Sequence, residues 1–122
     1  MKVLVCGGRD CRDSAFVEKT LDRLHSARGP FERLIHGAAR GADRIAGKWA
    51  RDHGVLEWAF LPEWHRVDAR DGLSRNLRMI IAGAPDLVVA FPGGVGTGNM
   101  VEQAKAADIE VLEVALPPKT GA

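Results

Sequence analysis

The sequence predicts an α/β fold: a mostly parallel five-stranded sheet with helices on both faces. Two observations predict it. Short apolar runs of strand length alternate with amphipathic helical stretches along the whole chain. Glycines cluster where an apolar run gives way to a helical one, as the loops at the carboxyl edge of such a sheet require. Lys2–Cys6 is the first apolar run, ended by Gly7-Gly8. Asp13 or Ser14 can cap a helix reaching about Arg28, with Val17, Leu21 and Leu24 on one face and Gly29-Pro30 as its stop. Arg33–His36 is a second brief strand. Gly41-Ala-Asp43 opens a helix whose stripe is Ile45, Ala46, Trp49, Ala50 and His53, closed by Gly54. Val55–Phe60 supplies the third strand, and an irregular stretch, Leu61–Asp71, follows it. The next helix should turn Leu73, Leu77, Ile80, Ile81 and Ala84 inward. Asp86–Phe91 and Ile109–Val114 are the remaining strands, and the helix between them is legible from Val101 onward. Parallel neighbours then demand right-handed crossovers.

The expected organisation is a single domain over 1–116 with a loose tail at 117–122, since Pro117-Pro118-Lys-Thr-Gly-Ala lacks apolar residues for docking. A net charge of +1 spreads no broad basic face, so a nucleic-acid polymer is not an expected partner. No apolar run reaches membrane-spanning length and no leader precedes the first strand, so no membrane partner is expected. Cys6 and Cys11 are then expected as free thiols in a reducing cytoplasm. The pair lacks histidine partners, so no metal is expected; no cofactor is implied, and a homo-oligomer stays open.

Function is most legible at Phe91-Pro92-Gly93-Gly94-Val95-Gly96-Thr97-Gly98-Asn99-Met100, between a strand and a helix. Four glycines in the six positions 93–98 leave backbone N–H groups uncovered by side chains. Together with the positive end of the following helix they suit an anionic oxygen, most often a phosphate. The plainer use of such glycines is a tight turn. Ligands in sheets of this class sit beyond the carboxyl ends of the strands, where strand order reverses. That rule brings the glycine loop together with Gly7-Gly8-Arg9-Asp10 and with Gly37-Ala38-Ala39-Arg40-Gly41-Ala42-Asp43. Neither a Walker A loop nor a Gly-x-Gly-x-x-Gly fingerprint fits any of the three, which argues against a P-loop ATPase or an ordinary NAD dehydrogenase. No Gly-x-Ser-x-Gly elbow suggests acyl transfer.

Four ordered motifs carry a resemblance. Leu4-Val-Cys-Gly-Gly-Arg-Asp10, His36-Gly-Ala-Ala-Arg-Gly-Ala-Asp43, Ser74-Arg75-Asn76-Leu-Arg-Met79 and Phe91-Pro-Gly-Gly-Val-Gly-Thr97 resemble the YspA-type, YpsA-related branch of the SLOG superfamily, over about residues 2–114. That superfamily joins the Smf/DprA proteins with the Lonely Guy phosphoribohydrolases. The resemblance implies a Rossmann-like three-layer sandwich that binds a small nucleotide or nucleotide-derived ligand, ADP-ribose-like or a cyclic nucleotide signal. Lonely Guy hydrolases place a glutamate three residues beyond the threonine of Pro-Gly-Gly-x-Gly-Thr and an arginine upstream in Arg-x-x-x-Met. Arg75 and Met79 match the second pattern, but the glutamate position is Met100, which moves no proton.

The expected ligand-binding residues are Gly7, Gly8, Arg9, Gly37, Ala39, Arg40, Gly41, Asp43, Arg75, Asn76, Pro92, Gly93, Gly94, Gly96 and Thr97. Arg9, Arg40 and Arg75 are bidentate phosphate donors if they face the ligand and solvated side chains if they do not. Asp10, Asp43 and Arg75 are the candidates for chemistry, should the protein be a hydrolase cleaving an N-glycosidic bond; Asp43 serves equally well as a helix-terminal carboxylate. Asn99 suits a helix cap, or else a ligand contact. Trp58, Phe60 and Trp64 are core aromatics or a stacking platform for a base, and His36 a strand terminator.

Overall fold

The computed structural model describes residues 1–61 and 69–115. Nine elements follow one another: β1 (Lys2–Cys6), α1 (Ser14–Arg28), β2 (Arg33–His36), α2 (Ala42–Asp52), β3 (Leu56–Ala59), α3 (Ala69–Gly83), β4 (Leu87–Ala90), α4 (Val95–Ala106) and β5 (Glu110–Glu113). The strands form one parallel sheet in the order β3-β2-β1-β4-β5, with Val3 opposite both Leu34 and Leu87. The strand order reverses between β1 and β4, the position that opens a crevice in such sheets.

Strand alternation sorts the core into two layers. Val3, Val5, Leu34, Leu87 and Val89 pack with Val17 and Leu21 of α1 and with Ala46, Trp49 and Ala50 of α2. Leu4, Cys6, Ile35, Val88 and Ala90 point the other way, onto Met79 and Ile80 of α3 and Met100, Val101 and Ala104 of α4. Both faces of the central strands are therefore sealed, which explains why they read as continuous apolar runs. The result is the three-layer α/β sandwich expected, parallel throughout.

Local chemistry sets the helix ends. Asp13 caps α1 by accepting the Phe16 N–H at 3.0 Å. After α2, Gly54 takes φ 70° and turns the chain into β3. Trp49 is core, as its position on the stripe predicts, and its indole N–H reaches Asp22 Oδ1 at 2.8 Å.

Two expectations need correction. Leu77 and Ile81 do not point inward; they are 47% and 70% exposed, and Ala84 lies beyond the helix, exposed at φ 46°. The inward stripe of α3 is Asn76, Met79, Ile80 and Gly83. A polar residue can hold that face because Asn76 Nδ2 donates to Gly96 O at 3.0 Å and to Asn99 Oδ1 at 3.1 Å. For the same reason Asn99 is not a cap: α4 begins at Val95, its capping position is Gly94, and Asn99 bonds Asn76 and Gln103 one turn inside. Trp64, His65 and the tail 117–122 lie outside the described residues. No described helix is long and apolar enough to cross a membrane.

Candidate functional site

A cleft of about 480 Å³ opens at the switch point, over the carboxyl ends of β1 and β4. That volume falls in the range of small-molecule sites, roughly 300–1,000 Å³. Its walls come from the three loops singled out by sequence and from α3: Gly7, Gly8 and Arg9; Ala39 and Asp43; Arg75 and Asn76; and Gly94, Gly96 and Thr97.

Backbone contact joins the first and last of these loops. Gly8 N–H donates to Pro92 O at 2.8 Å, and a Cβ on Gly8 would stand 3.0 Å from Gly93 Cα. A Cβ on Gly93 would fall 2.7 Å from the Gly8 nitrogen and collide with Thr97 Oγ1. These two glycines exist for close approach. Gly94, Gly96 and Gly98 differ: the space where their Cβ would stand is open. The first α4 amide with a helical acceptor is Gly98, bonded to Gly94 O at 3.0 Å. The Val95, Gly96 and Thr97 N–H groups have no acceptor among the described residues and sit on cleft-lining residues at the positive end of the helix.

The second loop is built around Asp43. Its buried carboxylate Oδ2 accepts the Gly37 N–H at 3.0 Å and the Ala39 N–H at 3.3 Å. Burial pushes its pKa up, against the pull of His36, the two amides and Arg75. Arg75 lies flat against Gly37, whose Cβ, if present, would stand 3.2 Å from the guanidinium carbon. Its Nη1 donates to Gly37 O at 2.8 Å, while its Nε is buried without a hydrogen-bond partner among the described residues. Asp43→Ala is expected to destabilise the fold by about 2–4 kcal/mol, because a buried amide loses its acceptor and a second is left unpaired. Urea unfolding measures this; a change below about 0.5 kcal/mol would mean that the loop holds itself.

Behind the loop, His36 is buried between Glu57 Oε2, 2.6 Å from its Nε2, and the Ala38 N–H, 2.9 Å from its Nδ1. Arg51 occupies the other Glu57 oxygen. Burial pushes Glu57 up, but bonds from His36 and Arg51 outweigh it and leave its pKa lowered. A second cavity of about 390 Å³ lies here, lined by His36, Ala38, Arg44, Arg51 and Glu57; its carboxylate is saturated by its own neighbours.

Residues 1–67 match the profile of the YspA, cpYpsA-related SLOG family. The Gene 61 protein of Mycobacterium phage D29 is 39% identical over 120 residues, 91% of this chain and 94% of that protein. The chain belongs to this SLOG family. Its fold is shared by the X-ray structure of TM1055, a structural-genomics target, with a TM-score of 0.67 and 19% identity over 90% of this chain and 71% of that one.

In this SLOG chain the cleft gathers Gly7, Gly8, Arg9, Ala39, Asp43, Arg75, Asn76, Gly94, Gly96 and Thr97 from the residues expected by sequence. Gly37, Gly41, Pro92 and Gly93 shape the loops without lining it. Arg40 is exposed and outside it. Asp10 also lies outside, its carboxylate 94% exposed and 3.8 Å from Arg12, so it is not placed to act as a base there. Trp58 and Phe60 stack on each other at 4.6 Å and pack on the core, away from the cleft. Sequence reasoning missed Val5, Cys6, Met79 and Val95, the apolar part of the lining. Burial, with Asp43 nearby, pushes the Cys6 thiol up to about 12, so it is inert. Met100, at the Lonely Guy glutamate position, is fully buried in the core and does not face the cleft.

Proposed function

We propose that the switch-point cleft binds a small nucleotide or nucleotide-derived ligand, with phosphate at the start of α4. The single observation that supports this most is the row of three acceptorless N–H groups on Val95, Gly96 and Thr97, in the same cleft as Arg75. Arg9, which lines the cleft without a hydrogen bond or ion pair among the described residues, adds an exposed positive charge. Membership of a SLOG family points to the same class of ligand. Val5, Cys6 and Met79 give the rest of the ligand an apolar floor, and Asp43 an acceptor for a hydroxyl. Three charge-assisted hydrogen bonds at about 1.5–3 kcal/mol each suffice for micromolar affinity after the cost of association.

Gly94 tests the reading. Its φ of −98° is outside the left-handed region, and the space where its Cβ would stand is open. Gly94→Val is therefore expected to fold with an unchanged melting temperature and to lose binding of adenosine 5′-monophosphate or ADP-ribose in calorimetry. Unchanged affinity removes the loop from the site. Gly96→Ala is the matched control, expected to stabilise α4 by about 0.5–1 kcal/mol while weakening the ligand.

A hydrolytic reading rests on one observation: Asp43 is a cleft carboxylate whose pKa is raised by burial, as a general base requires. Ligand recovered intact after prolonged incubation rules it out; released base, absent with Asp43→Asn, establishes it.

A further inference from the structure

We propose that His36, oriented by Glu57, is the positioning residue of the ligand loop 37–43 and holds it only while its Nδ1 carries no proton. The binding arm of this inference rests on the function proposed above; the structural arm does not.

An amide can only donate, so the 2.9 Å contact from the Ala38 N–H requires a bare Nδ1, and the ring proton then sits on Nε2, facing Glu57 Oε2 at 2.6 Å. Glu57 is held in turn by Arg51. Room for this chain of contacts comes from Gly47 inside α2: a Cβ there would stand 2.8 Å from His36 Nε2 and collide with Glu57 Oε2. Glycine inside a helix costs about 0.5–1 kcal/mol, and access for this pair is what it provides. Ala38 itself takes φ 60°, unusual for a residue with a Cβ. The His36 bond holds that turn from behind. One residue to either side are the functional contacts: Gly37 O accepts Arg75 Nη1, and the Ala39 N–H donates to Asp43 while Ala39 lines the cleft.

A proton on Nδ1 sets N–H against N–H. The charged ring keeps Glu57 and must release Ala38. The charged groups that face His36 are Glu57 from β3 and Asp43 from α2, while Arg51 and Arg44 of α2 share its cavity and Arg75 of α3 reaches it only through Gly37. Acid therefore loosens the loop, and ligand affinity falls with it.

Nitrogen-15 NMR of the full chain from pH 8 to 5, where histidines change charge, reads this directly. The expected result is the Nε2–H tautomer at pH 8, with Ala38 amide protection dropping about tenfold, the size of one neutral hydrogen bond, as the ring charges. His36→Asn, whose Oδ1 can replace the Nδ1 acceptor without titrating, is expected to keep that protection throughout. Affinity for adenosine 5′-monophosphate should fall about tenfold further in the wild type than in His36→Asn, which reports the phosphate's own protonation near pH 6. An Nδ1–H tautomer at pH 8, or Ala38 protection indifferent to ring charge, overturns the proposal. Absence of nucleotide binding at every pH overturns the proposed function instead, and the wild-type exchange data still decide this one.

Discussion

Gly41→Ala is expected to lower the unfolding midpoint by on the order of 10–20 °C. Gly41 precedes α2 at φ 87° and ψ −132°, a backbone conformation open in practice only to glycine. Its Cβ would also fall 2.8 Å from Arg9 O and into collision with Gly8 O. Both obstacles are backbone atoms, and neither can swing aside as a side chain would. Gly8 is itself tied to Pro92 O at 2.8 Å, so the first loop cannot retreat without breaking its bond to the glycine loop. Backbone strain of about 1–3 kcal/mol adds to overpacking of about 1–3 kcal/mol, a large share of a typical total of about 5–15 kcal/mol. Thermal and urea unfolding both measure it, with the urea m-value unchanged if only the native state is affected. A midpoint within about 2 °C of wild type would mean that the second loop relaxes freely and that the cleft is not preorganised.

The architecture was legible because the central strands are sealed on both faces. Val3, Leu4, Val5, Leu87, Val88 and Val89 leave no polar position to confuse a strand with an amphipathic helix. The cleft was legible because close approach demands glycine, and Gly8, Gly41 and Gly93 stand where one loop meets another. What stayed hidden depends on partners distant in sequence. Asn76 reads as a ligand contact, and nothing local shows that Gly96 O, 20 residues on, accepts its amide; with Asn76 on the buried stripe of α3, Leu77 and Ile81 lie outside. His36 and Glu57 meet because the parallel register pairs Leu34 with Glu57, which puts the carboxylate on the histidine's face of the sheet. An unexplained glycine inside α2, Gly47, was the only local sign of that pair. Loops left the most open: nothing in Gly7-Gly8-Arg9-Asp10 says that Arg9 borders the cleft and Asp10 turns away.

Arg75→Met should separate binding from stability. Affinity for adenosine 5′-monophosphate is expected to fall about 10–100-fold, the worth of one hydrogen bond to a charged donor. Stability is expected to change by less than about 1 kcal/mol. The reason lies in how poorly the described residues satisfy this side chain. Nη1 gains Gly37 O at 2.8 Å, but Nε is buried with no acceptor among the described residues, a defect that costs about 1–3 kcal/mol. Methionine keeps most of the stem that packs on Gly37, removes the unpaired donor and gives up one bond to a carbonyl, so the changes nearly cancel. An arginine kept for the fold would behave in the opposite way, with a lower melting temperature and affinity within about twofold of wild type. Arg75→Lys refines the test: it restores charge without the planar fork, so partial recovery indicates attraction to an anion, whereas none indicates two-point recognition of phosphate oxygens. Calorimetry and thermal unfolding on the same three proteins decide between these outcomes, and an affinity that ignores both substitutions places the anion beyond Arg75's reach.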